Sequence, residues 1–207
     1  KIILPYQTYF VTTNIKDRQW VFASRSATDR MADALDCPAA ERDPRLREKE
    51  KITIAQHVGG DPVPRRIHAS AIYPNEQTCH ILLDNLNFYR AKFSFLLHGF
   101  VFMSDHVHLL LTVGKNGTIS DIMRDWKHRT GFEMNNLLYR QGCLWQRDFW
   151  EHTIRNEKDF LEKINYIHQN PVKSGYVDTA EEWKYSSARW YSGMVSCIEV
   201  DVIMGGR

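Results

Sequence analysis

The stretch Phe102–Val113, FMSDHVHLLLTV, sets two histidines one residue apart in an otherwise apolar run. Successive side chains of a strand point to opposite faces, so residues i and i+2 share one. Read as a strand, Val107, Leu109, Leu111 and Val113 line one face and can pack on a core. His106 and His108 then stand together on the other. Imidazoles in an apolar layer must find hydrogen-bond partners or a ligand. The pattern therefore asks for a sheet with one packed face and a second face that has other work to do.

The neighbouring segments say what kind of sheet. Tyr6–Ile15, YQTYFVTTNI, is β-branched and aromatic and predicts a strand. Gln77–Arg90 carries apolar residues at helical spacing. Phe93–Met103 predicts a strand, with a turn at Ser104–Asp105 joining it to the histidine strand as an antiparallel hairpin. Thr118–Arg140 is a long amphipathic helix: Ile119, Ile122, Met123, Trp126, Met134, Leu137 and Leu138 recur at three and four, with Thr118 or Ser120 as cap. Cys143–Arg155, CLWQRDFWEHTIR, is a loop leading into a short strand at His152–Ile154. Asn156 caps a helix over Glu157–Asn170, which Pro171 and Gly175 end. The tail, with EEWKYSSARWY, is a loop with one more short helix. This order predicts an α+β fold, ferredoxin-like or RRM-like. Its antiparallel sheet has helices packed mainly on one face, plus an inserted helical and loop segment.

The 207 residues are enough for one domain with its own core, 1–207. An insertion is expected at 24–74, where proline, glycine and dense charge interrupt the pattern, and a C-terminal extension at 176–207. Arg25–Lys51 holds seven basic and seven acidic residues, a balance typical of a solvated segment. The net charge of +2 neither demands nor excludes nucleic acid, because a basic groove can sit inside a balanced total. Cys37, Cys79, Cys143 and Cys197 form no C-x-x-C pair, which argues against a zinc knuckle or a redox motif. No leader pattern opens the sequence and no apolar run reaches membrane-spanning length. A cytoplasmic, reduced protein with no membrane partner is expected.

On a helical wheel, Phe160, Leu161, Ile164, Ile167 and His168 share one face of the Glu157–Asn170 helix. Tyr166 lies nearly opposite, and Asn170 sits beside it one turn on. The helix's own core does not require that tyrosine; covering a neighbouring loop is an equal alternative. Two histidines at i and i+2 are also weak evidence alone, since a structural pair is commoner than a metal site. With an amide oxygen they form a set that leaves coordination positions open. Such nitrogen and oxygen donors suit Mg²⁺ or Mn²⁺.

Three motifs in order, HVH preceded by FMSD, then WQRDFWEHTIRNEKDF, then YIHQNPVKSGYV, resemble the single-tyrosine HUH transposases of bacterial insertion sequences. The subgroup most similar is the REP-associated tyrosine transposases. The resemblance covers Tyr6–Ile15 and most of Gln77–Tyr191. It implies that Tyr166 is the nucleophile, attacking a DNA phosphodiester to form a 5′-phosphotyrosine link and a free 3′-hydroxyl. It implies a divalent metal on His106 and His108, with Asn170 as third polar ligand. The substrate it implies is single-stranded, hairpin-forming DNA, handled by a monomer or a homodimer. The family's usual proline–asparagine before the histidines is Ser104–Asp105 here, which leaves both histidines in place.

The chemistry agrees with that implication. A phenol with a pKa near 10 is a poor nucleophile at neutral pH. A metal that polarises the scissile phosphate lowers the barrier without full ionisation. Lys127, Arg129, Arg147, Arg155 and Lys173 flank the motifs as candidate phosphate contacts, each with a solvated surface charge as the competing reading. Trp145, with Phe149, is a candidate for stacking on unpaired bases, or else core. Three functions fit: a strand-transferring DNA nuclease, which is favoured; a non-catalytic nucleic-acid-binding domain; and a hydrolytic metallonuclease.

Overall fold

The structure is a computed structural model, which describes residues 7–16 and 76–201. The insertion expected at 24–74 lies outside the described residues. Among the described residues four strands carry the fold: β1 (Thr8–Asn14), β2 (Leu96–Phe102), β3 (His106–Thr112) and β4 (Trp150–Thr153). Three long helices accompany them among the same residues: α1 (Glu76–Phe93), α2 (Ile119–Leu137) and α3 (Glu157–Lys173). A 3₁₀ turn at Ala180–Glu182 and a one-turn helix α4 (Ala188–Tyr191) follow. The sheet order is β2-β3-β1-β4, with every neighbouring pair antiparallel. The succession β1-α1-β2-β3-α2-β4 in that order is the ferredoxin-like arrangement.

The alternation in β3 divides the interior as its sequence demands. Val107, Leu109 and Leu111 join Val11 in a cluster with Leu82 and Leu86 of α1 and Ile122, Met123 and Trp126 of α2. Leu110 points the other way, into a second cluster with Phe10, Val101 and the α3 residues Phe160, Ile164 and Ile167. Two long helices thus cover one face, and α3 crosses the opposite, histidine-bearing face. Thr118 caps α2 through a reciprocal box with Asp121, and the Asn156 side chain caps α3.

The structure differs from the sequence reading at several places, among them β4, expected at His152–Ile154 and found at Trp150–Thr153. Helix α1 runs through Phe93, and the break comes at Ser94, whose φ of 53° is left-handed, so β2 starts later than Phe93. Pro171 does not end α3. It lacks one N–H but leaves the later bonds intact, and the helix continues to Lys173 before Gly175 turns at φ 71°. Leu161, placed on the apolar stripe by spacing, is 54% exposed, because the sheet reaches only the Phe160–Ile164–Ile167 ridge.

Helix α3 can approach because β2 offers Gly99. A Cβ there meets Ile164 Cδ1 at 2.8 Å and Ile167 Cδ1 at 3.4 Å. Gly99→Val is expected to destabilise by about 1–3 kcal/mol through overpacking. Gly99→Ala should cost less, since the nearest atom is the end of a flexible side chain. Urea midpoints of the two variants check the order.

Beside Gly99, at a register shift in β2, sits the fully buried His98. Its Nδ1 lies 2.6 Å from the Asp201 carbonyl oxygen and its Nε2 2.7 Å from Thr112 Oγ1, which meets Thr8 Oγ1 at 2.6 Å. A neutral ring satisfies this chain: Nδ1–H donates to the carbonyl and Nε2 accepts from the threonine. Burial pushes the imidazole below its ordinary value, against the opposing pull of the Asp201 carbonyl. The unfolded chain therefore binds a proton that the folded chain refuses. Stability should fall as pH drops below about 6.5, the unfolded value. Denaturant midpoints at pH 7.5 and 5.5 check this, and His98→Gln should reduce the slope without abolishing it, because burial also pushes the His108 and His168 imidazoles down.

Candidate active site

The site lies on the α3 face, where β1 and β3 run side by side. Thr12 pairs with His108 and Asn14 with His106. His108 is buried, with Nδ1 2.8 Å from Thr12 Oγ1 and Nε2 3.0 Å from Asn170 Nδ2. Burial pushes this imidazole down to about 3, the charge of neighbouring His106 adds to the effect, and Asp105 opposes it. A neutral ring that donates from Nδ1 to Thr12 keeps a lone pair on Nε2, the one the Asn170 amide N–H now meets. His106 is arranged alike: its Nδ1 meets Asp105 Oδ1 at 2.6 Å, which leaves Nε2 to face away. A carboxylate or hydroxyl that fixes the tautomer of a ligating histidine is the usual second partner in metal sites.

Helix α3 delivers Tyr166 to the same place. Its ring stands edge-on to His108, centroids 5.2 Å apart, and to Phe10 at 5.7 Å. Phe10 in turn stacks on His108 at 5.3 Å. Tyr166 keeps 41% of its surface exposed, while Asn170, one turn on, is buried. The pair therefore occupies the flank of α3 that meets the histidines, rather than the side opposite its apolar stripe. Lys173 brings Nζ within 5.6 Å of the Tyr166 ring, and Lys163 within 5.4 Å of the Phe10 ring.

The donor set can be tested against a divalent ion. Among the described residues, no group of three or more His, Cys, Asp or Glu is placed to hold a metal. Two imidazoles and an amide oxygen remain, and Asn170 Oδ1 is buried with no hydrogen-bond partner. An orphaned oxygen on the amide that meets His108, with a second imidazole close by, fits an ion that accepts mixed nitrogen and oxygen ligands.

The other sequence candidates are dispersed. Lys127 does not reach outward: its Nζ donates to the carbonyls of Gln146, Arg147 and Asp148 at 2.7, 3.0 and 3.2 Å and so holds that loop in shape. Arg129 pairs with Glu133 on α2, the helix on the far face of the sheet. Trp145 is core: it bridges to Ile15 and its indole N–H donates to Thr130 Oγ1 at 3.0 Å, so it offers no face for stacking. Arg147, Arg155 and Lys173 are exposed. Thr12, Phe10, Lys163 and Trp150 escaped the sequence reading. The alternation of TYFVTTN puts Phe10, Thr12 and Asn14 on one face, but only the pairing of β1 with β3 shows that this face holds the histidines.

The antiparallel sheet, the histidine pair on one face and the tyrosine helix over it can be set beside known proteins, and the class they fall in is that of the IS200-like transposases. The model of the family described as transposase IS200 like matches residues 75–170. A protein of Haemophilus influenzae assigned as a REP-associated tyrosine transposase is 33% identical over 129 residues, 54% of this chain and 73% of that one. The REP-associated tyrosine transposase of Escherichia coli K12 is 30% identical over 98 residues, 45% of this chain and 54% of its own length. A solved REP-associated tyrosine transposase bound to a REP hairpin shares the fold, with a TM-score of 0.55 and 18% identity over all of this chain and 92% of that one. The chain belongs to the REP-associated tyrosine transposases. Among the described residues, no helix is long and apolar enough to cross a membrane.

Proposed function

We propose that this transposase cleaves and rejoins single-stranded, hairpin-forming DNA through a covalent link to Tyr166. The observation that carries this is the meeting of Tyr166, His108 and Asn170 within one chain. The structural neighbour's REP hairpin supports a folded single strand as substrate.

The Tyr166 hydroxyl oxygen attacks the scissile phosphorus and the phosphorus–3′-oxygen bond breaks. The phenol gives up its proton, the leaving oxygen ends as a 3′-hydroxyl, and the 5′-phosphate stays on the tyrosine. Attack by a 3′-hydroxyl reverses the step and rejoins strands without ATP, because the ester energy is kept. A divalent cation, Mg²⁺ or Mn²⁺, held by His106, His108 and Asn170 Oδ1, supplies Lewis-acid polarisation of the phosphate oxygens. Thr12 and Asp105 hold the two rings in the ligating tautomer. Lys173 sets a positive charge beside the attacking ring, where phosphoryl charge builds. Arg147, Arg155 and Lys163 serve as phosphate contacts along the strand. The proximity of Tyr166 to the histidines supports action in cis, so that a monomer is complete.

The test incubates the chain with end-labelled hairpin DNA and Mn²⁺ or Mg²⁺. A denaturation-resistant protein–DNA adduct, lost with EDTA, is the expected result. Cleavage without an adduct would point to a water nucleophile, and binding without cleavage to a non-catalytic domain.

A further inference from the structure

We propose that Trp150 is a stacking platform for one unpaired nucleobase of the strand that reaches Tyr166; this rests on the DNA-cleaving function proposed above. Trp150 opens β4 and pairs with Thr12, which pairs on its other side with His108. The three residues form one row across the α3 face of the sheet. Two strand spacings separate the ends of that row, about 10 Å. That is near enough for a nucleotide neighbouring the scissile phosphate.

The indole is 54% exposed, yet it is braced. Its plane lies 7° from that of His152 at a centroid distance of 6.0 Å, and Phe10 meets it edge-on at 5.7 Å. His152 Nε2 is itself held by both carboxylate oxygens of Asp159, at 2.8 and 3.1 Å. Strand β4 is the sheet edge and pairs only with β1 among the described strands, so nothing in the sheet covers the indole's outer side. A large aromatic held in one orientation and left open to solvent suits a base, since every base presents a π-face.

Charge names the occupant as nucleic acid. Lys163 and Lys173 stand over the Phe10 and Tyr166 rings, and the exposed Arg147 and Arg155 precede and follow β4 in the chain. Cations over the rings that adjoin Trp150 on this face match phosphates on either side of a stacked base. Stacking carries little sequence information, so Trp150 should favour purines over pyrimidines by strength of stacking alone.

The experiment measures binding by fluorescence anisotropy to a labelled DNA hairpin with unpaired 5′ and 3′ flanks, in EDTA so that cleavage does not intervene. An abasic site is walked through the flanks. At one position the abasic site should weaken wild-type binding about tenfold, and Trp150→Ala should weaken binding to the intact hairpin about tenfold. The two together should weaken binding no further than either alone, and Trp150→Phe should recover most of the loss. Trp150→Ala within twofold of wild type, or losses that multiply at every position, would overturn the platform. So would a Trp150→Ala loss accompanied by a matching fall in melting temperature and blind to abasic position. The adduct assay reads the underlying function separately. An adduct with no effect of Trp150→Ala sinks the platform alone; a hairpin that obeys the cycle but yields no adduct sinks the catalytic function alone. A wild-type chain that does not bind the hairpin overturns both.

Discussion

Tyr166→Phe is expected to remove covalent DNA capture, by at least about 10³-fold, the scale on which enzymes lose rate with their nucleophile. Hairpin binding should stay within about twofold. The separation follows from how the ring is held. Its contacts with Phe10 and His108 are edge-on contacts of the ring, which phenylalanine keeps. With 41% of the residue exposed, the lost hydroxyl leaves no cavity. A denaturing gel after incubation with Mn²⁺ reads the adduct, and anisotropy reads the binding. An adduct that persists in Tyr166→Phe would move the nucleophile elsewhere, and undiminished cleavage without one would hand the attack to water.

What a sequence can show of this site depends on how local its causes are. The β3 alternation put Val107, Leu109 and Leu111 on the core side and the histidines on the other, because strand geometry alone sets that parity. The capping of α2 and α3 was legible for the same reason. The meeting of Tyr166 with His108 was not, since it depends on α3 crossing the sheet at Gly99, far away in the chain. The aromatic loop shows the limit most clearly. Trp145 and Trp150 look interchangeable in CLWQRDFWEH, yet Trp145 is buried by a bridge to Ile15 and a bond to Thr130, while Trp150 lands on an open edge. Lys127 likewise reads as a surface cation on a helix, and only the folded loop supplies the three carbonyls that capture it.

The two histidines should separate when each is removed, because the fold uses them unequally. His106 is at the start of β3, with its side chain 20% exposed and its Nδ1 bonded to the adjacent Asp105. His106→Ala is expected to cost little stability and to weaken Mn²⁺ binding by about 10-fold or more, since one of three ligands goes while the scaffold stays. Metal-dependent adduct formation should fall with it. His108 has a second duty. It fills the space between Phe10 and Tyr166 and satisfies both Thr12 and Asn170. His108→Ala opens a cavity and strands the buried Asn170 amide and the half-buried Thr12 hydroxyl, so it should lose metal binding and also destabilise the fold by about 2–4 kcal/mol. Titration calorimetry with Mn²⁺ and urea denaturation of both variants test the pair. If His106→Ala bound Mn²⁺ as tightly as wild type, the proposed ligand set would be wrong. If His108→Ala unfolded at the wild-type midpoint, the packing of the tyrosine over that ring would be wrong.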